Sequence, residues 1–122
     1  MLDEDYLRDL FEPFGRVSIR RMFGGQALYL DGAIIALVLS DDTLYLKADG
    51  QTAPAFEAAG SRQFVYEASG RIVQLPYWRI PEEALDDRDE MRPWVERARA
   101  AAARNPTKPK SRKRKQAEIP EA

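Results

Sequence analysis

The stretch from Ala27 to Leu39 constrains the fold more than any other. Ala27-Leu28-Tyr29-Leu30 runs into Asp31-Gly32, and the apolar run Ala33 to Leu39 follows at once. An Asp-Gly pair between two such runs signals a two-residue hairpin, whose turn needs positive φ at both central positions. The second run lacks polar alternation, so it reads as a central strand buried on both faces. Upstream, Val17 and Ile19 alternate with polar neighbours, and Gly24-Gly25 marks a bulge or sharp bend. Downstream, Ser40-Asp41-Asp42 turns the chain into a strand from Thr43 to Lys47. The pattern is an antiparallel meander.

Helical periodicity brackets this meander. Leu7, Leu10, Phe11 and Phe14 share one face of a helix from about Asp3 to Pro13, with Asp3, Glu4 and Asp5 in its first turn and Gly15 stopping it. Asp49-Gly50 ends the meander, and Thr52 to Ala59 forms a short helix with Gly60 as its stop. Phe64 to Glu67 and Arg71 to Tyr77 are two further strands, and Pro76 requires an edge or a bulge. From Pro81 the chain turns helical. Asp87 and Glu90 make a capping box, and Met91, Trp94, Val95, Ala98 and Ala102 form the inward face. Pro93 leaves two alternatives, a later helix start or a bend. The expected fold is α+β: two layers, an antiparallel five- to six-stranded sheet with helices on one face.

Composition removes several function classes. The 122 residues contain neither cysteine nor histidine. Thiolate chemistry, disulfides and a Ser-His-Asp triad are therefore excluded, and the commonest metal ligand and neutral-pH proton carrier are missing. The expectation is a protein that is not an enzyme, with no cofactor and no metal. No apolar run approaches the roughly 20 residues of a membrane helix, and the acidic start Asp3-Glu4-Asp5 is unlike a signal peptide. A cytoplasmic location without membrane contact is expected.

Several separate blocks also share the wording of one family: Arg21-Met22-Phe23-Gly24-Gly25, Leu44-Tyr45-Leu46-Lys47-Ala48-Asp49, Phe64-Val65-Tyr66, Pro76-Tyr77-Trp78, Ile80 to Asp87, and Trp94. Over roughly residues 3 to 104 the chain resembles the N-terminal domain of the TfoX/Sxy competence-regulator family. The resemblance implies an α-β(3)-α-β(2)-α arrangement like that of YjbR-like proteins and type III secretion chaperones. It also implies a non-catalytic role in transcription regulation and protein binding. Ala27 stands where the family usually has a third glycine. The best-known members carry a second, helical domain where this chain has a short basic tail, so it resembles the stand-alone type. Self-association into a homodimer is an expectation by analogy of architecture.

The candidate interaction residues are Arg20, Arg21, Lys47, Tyr66 and Trp78. The two arginines beside Gly24-Gly25 offer guanidinium groups to an anion, although no phosphate-loop spacing accompanies them. Against this stands a plain strand bend with surface ion pairs. Lys47, with Asp49 and Arg21, makes a candidate polar patch, although a lysine usually faces solvent. Tyr66, Tyr77 and Trp78 either stack on a ligand or fill the space between sheet and helices. Asp41-Asp42, Glu82-Glu83 and Asp86-Asp87 read as turn and capping residues.

Charge divides the chain into a folded domain, residues 1–105, and a tail, 106–122. The first carries a balance of −5 and the second +4. The tail holds Lys108, Lys110, Arg112, Lys113, Arg114 and Lys115 among residues too polar to form a core, and is expected to be disordered. These six cations are the candidate nucleic-acid contact, giving salt-dependent affinity for phosphates with no means of reading bases. A protein partner is the leading expectation, nucleic acid the alternative.

Overall fold

The computed structural model describes residues 1–22 and 24–104, so the basic tail lies outside the described residues. The elements run α1 (Glu4–Phe11), a 3₁₀ turn (Glu12–Phe14), β1 (Val17–Met22), β2 (Gly25–Leu30), β3 (Ala33–Val38), β4 (Leu44–Lys47), α2 (Ala53–Ala58), β5 (Gln63–Ala68), β6 (Arg71–Arg79), α3 (Glu82–Leu85) and α4 (Arg88–Arg104). All six strands join one antiparallel sheet in the order β1-β2-β3-β4-β6-β5. The α+β class holds, with four strands ahead of α2 rather than three.

The local signals act where they were read. Asp31 and Gly32 take φ of 54° and 82°, giving the two-residue turn that sets β2 against β3. Gly25 opens β2 because a Cβ there would lie 2.1 Å from the Val38 carbonyl oxygen. Ala27, by contrast, sits in regular ladder between Arg20 and Leu37, so alanine costs no strain at that position. Pro76 falls where the β5–β6 register shifts between Gln63 and Val65, and its carbonyl accepts from Ala48 N at 2.8 Å. The missing N–H is thus absorbed by a bulge.

Helix termini follow side-chain chemistry. Asp3 is the N-cap of α1, its carboxylate accepting from the backbone of Asp5 and Tyr6. Asp87 caps α4 by accepting from Asp89 N at 2.8 Å. Of the two alternatives at Pro93, the later start fails: α4 begins at Arg88 and carries the proline inside it.

One core cluster lies between the helices and one sheet face. Leu7, Leu10 and Phe11 of α1, Phe56 of α2, Ala84 of α3, and Met91, Val95 and Ala98 of α4 meet Leu28, Val38 and Leu46 of the strands. Phe56 is its pivot, 6.2 Å from the Trp78 ring and 4.7 Å from Trp94. Full burial of such aromatic rings is among the largest single contributions to a core this size.

Candidate functional site

Register sorts the sheet residues onto two faces. Ile19, Leu28, Ala36, Leu46 and Trp78 are successive cross-strand partners, and Trp78 meets Phe56, so this row faces the helices. The adjacent row, Arg20, Ala27, Leu37, Tyr45 and Arg79, faces the other way. Lys47, partner of Tyr77, shares that second face because side chains alternate along a strand.

The second face is curled into a hollow. A cavity of about 500 Å³ is lined by Met22, Ile34, Leu37, Tyr66, Leu75 and Tyr77. Met22 belongs to one edge strand and Tyr66 to the other, five strand spacings apart, which would be about 24 Å in a flat sheet. Their convergence on one cavity requires the sheet to bend around it. Curling also explains why Ala27, Ile34, Tyr45 and Tyr77 are buried on a face that no helix among the described residues covers.

The five candidate residues therefore part company. Arg20, Lys47 and Tyr66 lie on the hollow face. Arg20 is exposed, its guanidinium 5.5 Å from the Tyr29 ring centroid. Tyr66 stacks on Phe64 at 5.9 Å, and Phe64 meets Tyr45 edge-on at 5.4 Å. Arg21 and Trp78 belong to the helix side: Arg21 pairs with Glu4 at 3.8 Å, and Trp78 packs in the core. Lys47 is 5 % exposed rather than solvent-facing, and burial lowers its pKa. Burial, with Tyr29 nearby, pushes the Tyr77 hydroxyl up to about 12, so it remains a neutral donor.

The suggested patch of Lys47, Asp49 and Arg21 does not assemble. Asp49 is held by Arg104 at the end of α4, with Nε–Oδ2 2.6 Å and Nη2–Oδ1 3.0 Å. It also accepts from the backbone of Gln51 and Thr52. The bidentate guanidinium holds its carboxyl at about 2. This clasp was not foreseen; an Asp-Gly at a strand end followed by a helix was its one sequence signal.

A second unforeseen group is Gln26, 2 % exposed in β2. Its amide accepts from Leu2 N and donates to Leu2 O, both at 2.8 Å, fastening the segment before α1 to the sheet. Among the described residues no cluster of three or more Asp and Glu could hold a metal. No helix there is long and apolar enough to cross a membrane.

Fold and site together define a small α+β domain whose helices seal one sheet face and leave the other as a hollow. The TfoX N-terminal domain family matches residues 9–102, and the chain belongs to that family. It is similar to the DNA transformation protein TfoX1 of Aliivibrio fischeri, 29% identical over 79 residues, which are 65% of this chain and 37% of that protein. It is also similar to the protein Sxy of Escherichia coli, 34% identical over 79 residues, 65% of this chain and 35% of that protein. The chain thus matches little more than a third of the length of either relative.

Proposed function

We propose that this domain is a non-catalytic regulatory module of the cytoplasm that acts by binding another protein, in a role related to that of the competence regulators. The observation that carries this reading is the β5–β6 hairpin. Strand β5 is an edge strand, pairing only with β6 among the described residues, and it contains neither lysine nor proline to deter pairing. Val65, Tyr66 and Ile72 on this hairpin are 45 %, 43 % and 69 % exposed. An open edge flanked by apolar side chains suits the addition of a partner's strand. Whether the partner is another protein or a second copy of the chain is read by the same experiment. The wild-type domain should retain a partner that an Ile72→Asp, Val65→Asp variant of equal melting temperature loses, and deletion of the gene should alter transcription. Equal retention by both baits, or unchanged transcription, would defeat the proposal.

A second reading rests on the six cations between Lys108 and Lys115, which lie outside the described residues. If they contact phosphates, affinity for a DNA duplex falls steeply with salt and disappears on removal of residues 106–122. Binding that survives truncation would shift attention to the folded domain.

A further inference from the structure

We infer that the hollow sheet face is a binding site for a small organic anion with an apolar body, such as a medium-chain or aromatic acid. The first support is the cavity itself. About 500 Å³ falls within the range of sites that enclose small molecules, and its lining from Met22, Ile34, Leu37 and Leu75 is aliphatic. Tyr66, Tyr77 and Gln26 are its polar lining residues, and the Gln26 amide is already bonded to the Leu2 backbone.

The second support is charge. The domain as a whole is acidic, yet its six strands contain five cations (Arg20, Arg21, Lys47, Arg71 and Arg79) and a single carboxylate, Glu67. Glu67 pairs with Ile72, next to the Tyr66–Val73 pair, so alternation turns it away from the hollow. By register Arg20, Lys47 and Arg71 lie on the hollow face with no Asp or Glu from the described strands, whereas Arg79, at the end of that face, lines a separate pocket with Asp42 and Glu82. A concave surface of one sign with low-dielectric walls concentrates the field over its mouth. Arg20 stands two strand spacings from Leu37, about 10 Å at Cα, and none of the ion pairs among the described residues includes it. Arg20 precedes the cavity-lining Met22 by two residues on the same face of β1, so it borders the cavity rather than lining it. Single-stranded nucleic acid also pairs cations with aromatic rings, but the aliphatic lining and the burial of Tyr45 and Tyr77 favour the smaller, apolar-bodied ligand.

This inference shares Tyr66 with the partner reading but otherwise stands apart from it, since that reading uses the edge of the hairpin. The test uses the full chain and the probe 8-anilinonaphthalene-1-sulfonate, with fluorescence reporting occupancy. Saturable one-site binding should be displaced by sodium dodecanoate and not by dodecyltrimethylammonium, both below micelle formation. Leu37→Trp, which fills the cavity, should abolish binding. Arg20→Glu, on an exposed side chain, should weaken it about tenfold, the equivalent of about 1.4 kcal/mol, with melting unchanged. The proposal fails if both amphiphiles displace equally or if the signal follows self-association of the protein. It also fails if a thymidine oligonucleotide displaces the probe while dodecanoate does not, or if Arg20→Glu binds like the wild type. Should Leu37→Trp not fold, the Arg20 and head-charge comparisons still decide.

Discussion

Two residues fix positions that no apolar pattern marks. Gln26 is polar in a strand otherwise apolar, and both arms of its amide are spent on the Leu2 backbone. Gln26→Leu keeps the volume and strips both bonds from a part-buried peptide group. Denaturant unfolding should show a loss of about 1–3 kcal/mol, the usual cost of leaving buried polar groups unpaired. Gly25 is constrained from outside its own strand, since a Cβ would meet the backbone of Val38 rather than a yielding side chain. Gly25→Ala should destabilise by about 1–3 kcal/mol through that clash, whereas Gly24→Ala meets open space but must hold a φ of 73°, so its cost of about 1 kcal/mol is backbone strain alone. A comparison of the two midpoints under identical conditions checks the difference.

At the scale of elements, the clasp between Asp49 and Arg104 joins the loop after β4 to the last turn of α4. The carboxyl of Asp49 is depressed from its ordinary 3.8 to about 2. Its stabilising contribution is therefore complete above pH 4 and is lost as pH falls from about 4 through 2. Asp49→Asn should lower stability at neutral pH and flatten the acid limb of a stability–pH curve in that window. An unchanged acid limb would mean that the clasp does not form in solution. Elements whose cause is local were legible in the sequence: the Asp31-Gly32 hairpin, the Asp87 cap and the edge or bulge demanded by Pro76, which is a bulge, whereas Asp3, read as part of the first turn, is the N-cap of α1. The fate of neighbouring side chains was not. Arg20 and Arg21, or Tyr77 and Trp78, are adjacent in sequence and separate onto opposite faces only once cross-strand register is set. Lys47 was misread for the same reason, because the curl that buries it arises from strands far away in the chain. Gln26 gave no signal at all, since its partner is a backbone group at Leu2.

The whole molecule is unevenly held. Among the described residues four helices and the central strands share one core, while the distal part of the β5–β6 hairpin is exposed on Val65, Glu67 and Ile72. Amides from Tyr66 to Ile72 should therefore exchange with solvent deuterium about a hundredfold faster than those of Leu28, Ala36 and Leu46, as expected when local opening needs less free energy than global unfolding. Equal protection would show that the hairpin opens only with the whole domain. Strand order carries a further consequence, for synthesis. Since β6 lies between β4 and β5, a chain emerging from the ribosome offers the bare edge of β4 and holds β5 without a neighbour until residues 71–79 appear. The aliphatic side of β3 and β4 stays wet longer still, until α4 is released and lies across it. By that order the nascent domain is expected to pass through a half-built state with bare apolar surface, which α4 then closes.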